Sequence, residues 1–189
     1  MKPSRHDAYD LVVSWTKNIN LLRHMLAVES IMRALAARFN GAAELWGVTG
    51  LIHDADYEMF KDDPKKHPSR IFEKLAQMGA DQEIIDAVRS HAWGWRADLP
   101  EPKTTMEWCL YSCDELSGLI TACALVRPDR KLSSVTVESV LKKFPQKSFA
   151  AGAKRENIMY CEPKLGIKLN EFIGIALKAM QGINAELGL

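Results

Sequence analysis

The sequence predicts an all-α fold in a single domain, and three observations carry that reading. Apolar residues recur at spacings of three and four along most of the chain, the pattern that lays one face of a helix on a core. No segment sustains the alternation of a half-buried strand. No internal repeat, low-complexity tract or linker divides the 189 residues, a length that one well-buried domain can fill.

The elements follow in order. Leu21, Leu22, Met25, Val28, Met32, Leu35 and Phe39 mark a long first helix that stops near Asn40-Gly41. A short helix over about 42–52 ends in His53-Asp54. The charged stretch 56–66 contains Pro64 and reads as a loop. Ile71, Phe72, Leu75 and Met78 mark a third helix closed by Gly79, and Asp81 is placed to cap a fourth with Ile84, Ile85 and Val88 inward. The Trp93-Gly94-Trp95 and Pro100-Glu101-Pro102 stretches must be irregular. Thr104 and Glu107 have capping-box spacing for a long helix to about Val126, which Arg127-Pro128 ends. A short helix over 136–143 stops before Pro145. A closing amphipathic helix over 168–187 carries Leu169, Phe172, Ile173, Ala176, Leu177 and Met180 on one face.

Composition narrows the class. An apolar fraction of 47% and a charged fraction of 26% are those of an ordinary soluble domain. No apolar run approaches the ~20 residues of a membrane span, and Met1 to Asp7 lacks the apolar stretch of a secretory leader. Cys109, Cys113, Cys123 and Cys161 show no Cys-x-x-Cys spacing, so they read as small packing residues in a reducing, cytoplasmic setting. A net charge of +1 argues against nucleic acid as the partner.

The chemistry sits on apolar faces. His24 is in line with Val28, Ile31 and Leu35, and His91 with Ile84 and Val88. Asp114 stands mid-way along the longest helix, four residues from both Leu110 and Gly118. Taken singly, each has a plain alternative: a satisfied core histidine, a surface carboxylate, or an ion pair from Asp114 to Arg23 or Arg89. Together with His53-Asp54 they suggest a metal site. Burying a charge requires a partner or a cation, and imidazole with carboxylate suits a divalent ion (Mn, Fe, Co, Ni, Zn or Mg) held between helices.

The order His24, His53-Asp54, Asp114 resembles the H…HD…D signature of the HD-domain superfamily of metal-dependent phosphohydrolases. The segments 23–29, 46–58, 90–92 and 114–120 are similar to those of its small bacterial HDIG-type members. The resemblance implies a helical bundle of the HD type spanning 1–189, with a core over about 20–131 and a basic helical extension over about 132–189. It implies His24, His53, Asp54 and Asp114 as metal ligands, with Asp54 and His53 catalytic. His91 follows as a ligand to a second metal or to substrate. His67-Pro68 lies in a charged loop, where a surface helix start and ligation are equally compatible with the sequence.

A divalent ion activates water and polarises phosphoryl oxygens, so the expected reaction is hydrolysis of a nucleotide or other small phosphate ester by a metal-bound hydroxide. The alternative is a non-catalytic regulatory module that binds metal and nucleotide. Between Arg127 and Arg155 eight basic residues face two acidic ones, a local balance of +6 that leaves −5 elsewhere. Arg127 and Lys131, just past the Asp114 helix, are the expected phosphate-binding cations. Trp93 and Trp95 are placed to stack on a base or to cover the core, and exposed tryptophans would be compatible with a homodimer.

Overall fold

The computed structural model describes residues 3–189; Met1 and Lys2, at the polar N-terminus, lie outside it. Ten α-helices and three single-turn 3-10 segments make up the described residues, with no strand among them. The all-α reading is correct.

The first helix, α1 (Arg5–Trp15), has no counterpart in the sequence reading. A capping box between Ser4 and Asp7 starts it, and Ala8, Leu11 and Val12 are its buried face. That face is too short to register as a periodic signal. Next come α2 (Ile19–Arg38), capped by the Asn18 side chain, and α3 (Ala43–Ile52). Every residue from Leu45 to Ile52 is buried, so α3 runs through the interior and not over the surface.

Small residues let α3 lie close on α2. A Cβ on Gly50 would meet the Val28 carbonyl oxygen at 3.0 Å, and one on Gly47 would meet the Arg33 side chain at 2.6 Å. That approach brings the middle of α2 beside the end of α3. The stretch after α3, read as a loop, contains 3-10 turns at Tyr57–Phe60 and Pro64–Lys66.

Then follow α4 (Arg70–Gln77), α5 (Gln82–Ser90) and the long α6 (Thr105–Leu125), which Thr104 caps through the Glu107 amide. Helix α7 (Val137–Lys143) begins at a capping box formed by Thr136 and Ser139. The five-residue α8 (Arg155–Met159) was not anticipated, since one turn shows no period. The closing helix is shorter than expected. It breaks into α9 (Leu169–Gln181) and α10 (Asn184–Leu187) at Gly182, a residue that disfavours helix continuation. Helices α7, α8 and α9 share one hydrophobic cluster with α2, α3 and α6, through residues such as Val140, Ile158 and Phe172.

Candidate metal centre

Five separate stretches deliver six side chains to one place. His24 comes from the middle of α2, His53 caps the C-terminus of α3, and Asp54 follows in the turn. His67 ends the second 3-10 turn, His91 caps the C-terminus of α5, and Asp114 lies mid-way along α6. The ligand atoms form two clusters. His24, His53 and Asp114 make one; Asp54, His67 and His91 make the other.

Asp54 lies between them. Its Oδ2 is 3.6 Å from both His24 Nε2 and His53 Nε2. Its Oδ1 is 3.0 Å from His67 Nε2 and 3.4 Å from His91 Nε2. Asp114 Oδ1 closes the first cluster at 3.0 Å from His24 Nε2 and 3.5 Å from His53 Nε2. Asp114 pairs with histidines and forms no ion pair with Arg23 or Arg89.

Each imidazole is aimed by its other nitrogen. His53 Nδ1 donates to the Gly50 carbonyl at 2.7 Å, and His91 Nδ1 to the Val88 carbonyl at 2.6 Å. His67 Nδ1 donates to Asp56 Oδ1 at 2.6 Å. Ser117 Oγ gives its proton to the Asp114 carbonyl and so accepts from His24 Nδ1 at 3.0 Å. All four rings therefore turn Nε2 inward, the nitrogen left to take a metal ion or a proton.

The donor set fits a cation. His67 Nε2 and His91 Nε2 face each other at 3.1 Å, where two lone pairs repel unless a proton or a cation lies between them. His53 Nε2 is fully buried and has no hydrogen-bond partner. Burial disfavours the His53 imidazolium, yet the Asp54 and Asp114 carboxylates outweigh it and raise the ring to about 9. Burial likewise opposes charge on His67, but Asp54 and Asp56 raise it to about 9. Burial opposes charge on the Asp54 and Asp114 carboxylates, but His53, His67 and His91 hold Asp54 low, and His24 and His53 hold Asp114 low. Two carboxylates and the two histidines they raise thus favour positive charge at their centre.

Asp56 was not singled out from the sequence. Fully buried, it accepts from His67 Nδ1 and from the amides of Ser69 at 2.9 Å and Ile71 at 3.1 Å. Burial works against its charge, while these donors hold its carboxyl low. It fixes the His67 ring and the start of α4 together. His67 is not a surface residue: it is 1% exposed. A buried carboxylate two positions past the His-Asp pair was the available signal.

The HD domain family profile matches residues 21–119, just over half of the chain. The chain belongs to the HD-domain family. All six converging residues lie inside the matched segment, and the HD superfamily is one of metal-dependent phosphohydrolases. No curated protein and no solved structure matches the chain.

A cavity of about 450 Å³ opens onto the HD centre, lined by Asp54, His91, Asp114, Tyr57, Trp93 and Trp95, among others. Trp93 also packs against Trp108, Tyr111 and Tyr160, so the core-covering reading applies to it. Trp95 stays 44% exposed. Next to Asp114, burial and the neighbouring carboxylate push Glu115 up to about 7. The larger groove between α1 and α4, near Leu11 and Met78, contains none of the clustered residues.

Arg127 and Lys131 are not brought to this cavity. At ~1.5 Å per residue, α6 carries Arg127 about 20 Å beyond Asp114. The Arg127 guanidinium instead binds the Ser134 carbonyl, and Lys131 is exposed ahead of the 3-10 turn Leu132–Ser134. Adjacency in sequence to a metal-bearing helix put them forward; the rise of that helix takes them away. Among the described residues no helix is long and apolar enough to cross a membrane.

Proposed function

We propose that this HD-domain protein hydrolyses a small phosphate ester, with nucleotides in the range of substrates, at a centre that holds two divalent ions. The observation that carries the reading is the Asp54 carboxylate between two histidine clusters, with four Nε2 atoms aimed inward. His24, His53 and Asp114 would hold one ion, His67 and His91 the other, with Asp54 shared. Such ions lower the pKa of water and polarise a phosphoryl oxygen, which is the chemistry the site would supply when loaded.

The chain's own residues do the rest. The Nδ1 contacts fix four rings without cost at the moment of binding, so the donors are preorganised. The burial of α3 closes the centre on one side, and the centre opens through the aromatic-walled cavity and through a smaller one of about 320 Å³ beside His24 and Asp114. Asp54 touches both clusters, so its loss breaks both. The four cysteines are free and buried, which suits a reducing compartment.

Metal analysis with a phosphate-release screen tests this reading. Wild-type protein loaded in turn with Mn, Fe, Co, Ni, Zn or Mg should release phosphate from some monoester, diester or nucleotide. Asp54→Ala should lose most bound metal and activity by about two orders of magnitude or more. A wild-type protein that retains metal and cleaves none of these would instead be the binding module.

A further inference from the structure

Beyond the family match the chain returns to the HD centre. Residues 144–157 form a loop and the start of α8, and Gly152, Lys154 and Asn157 line the same cavity as Asp54, His91 and Asp114. Two side chains hold this segment. Arg155 donates to the carbonyls of Phe144 (3.1 Å), Ala150 (2.8 Å), Ala153 (2.6 Å) and Phe149 (2.5 Å), so one guanidinium gathers the whole loop. Glu115 accepts from the Lys154 amide at 3.0 Å and from Asn157 Nδ2 at 3.3 Å, fastening the segment to the helix that carries Asp114.

Among the described residues lining this cavity, Lys154 is the one cation; Asp54, Asp114 and Glu115 are the carboxylates. Its ammonium lies 5.6 Å from the centre of the Trp95 ring. That ring in turn lies 6.1 Å from Tyr57 and 6.4 Å from His67, centre to centre. A cation and an exposed indole therefore cover each other within one short linker of the clustered histidines.

We propose that Lys154 and Trp95 are the recognition pair of this cavity, and that its ligand is a phosphate monoester carrying one flat aromatic group. The proposal rests on the phosphohydrolase reading of the site and adds the substrate class. A phosphoryl oxygen draws the ammonium off the indole as a charge-assisted partner, and an aromatic group takes the uncovered face. The two halves of the ligand are coupled. Phosphate alone leaves the indole bare, and an aromatic group alone must displace the lysine with nothing to hold it. A polyphosphate brings further negative charge past Glu115, where the lining offers no second lysine or arginine to meet it.

Calorimetry on the metal-loaded full chain, with analogues whose ester oxygen is replaced by carbon, reads this directly. A nucleoside 5′-monophosphonate should bind more tightly than a glycerol phosphonate or a non-hydrolysable nucleoside triphosphate. Lys154→Gln should weaken the nucleoside analogue about tenfold, the loss of one charge-assisted contact. Trp95→Leu should weaken it too, leave the glycerol analogue as tight or tighter, and combine non-additively with Lys154→Gln. Metal content should stay at the wild-type value in both variants. Wild-type affinity in Lys154→Gln, tighter binding of the triphosphate, or equal weakening of both monophosphonates by Trp95→Leu would each overturn the pair. Phosphate release is scored apart: if it is absent while the binding pattern holds, the hydrolase reading fails and the recognition pair stands.

Discussion

At the scale of single residues, the site divides into groups that helical spacing announces and groups that it cannot. His24 and His91 stand on apolar faces, and Asp114 interrupts the buried run of α6, so helical spacing makes them candidates and their company with His53-Asp54 makes them a site. His67 and Lys154 have no such frame. His67 is oriented by Asp56 across a turn, and Lys154 reaches Glu115 only because the chain folds back from α7 to α6. Asp56 is the sharper test of the architecture. Asp56→Asn replaces an acceptor oxygen by a donor facing either His67 or the Ser69 and Ile71 amides. The affinity for one of two metal equivalents should fall about 10- to 100-fold, as expected when an orienting carboxylate is lost. The His24, His53, Asp114 position should keep its ion; competitive chelator titration separates the two.

At the scale of elements, α6 was legible because its Thr104 cap and its apolar face agree, and α2 and α3 were legible from their apolar runs alone. Helices α1 and α8 were not, since one is weakly apolar and the other is a single turn. The closeness of α3 to α2 is the element-level property on which the centre depends. Gly50→Ala would push a methyl against the Val28 backbone, which cannot yield as a side chain can. A destabilisation of about 1–3 kcal/mol is expected, with weaker metal binding because the His24–His53 spacing opens. Gly118→Ala is the counterpart. No atom lies within 4 Å of its Cβ, on an exposed face of α6, so stability should rise by about 0.5–1 kcal/mol. Urea denaturation of the two variants should move in opposite directions.

At the scale of the whole molecule, the ligands are drawn from stretches between His24 and Asp114 that an unfolded chain would hold far apart. An ion that binds only the assembled set must stabilise the fold. Free metal at about 100 times its dissociation constant should add about 2.7 kcal/mol, and chelation should lower the melting temperature by the matching amount. Differential scanning calorimetry with and without chelator checks this, and an unchanged melting curve would mean that the clusters hold no ion. One feature of those clusters bears on how the protein can change over time. His53 and His91 are aimed by main-chain carbonyls, at Gly50 and Val88, which any amino acid supplies. His24 and His67 are aimed by the side chains of Ser117 and Asp56, which few could replace. Neither carbonyl is removed by a change of its side chain, although close packing on Val28 still demands a small residue at Gly50, and a descendant that lost the centre by drift would lose it first at Asp56, Ser117 or Gly50.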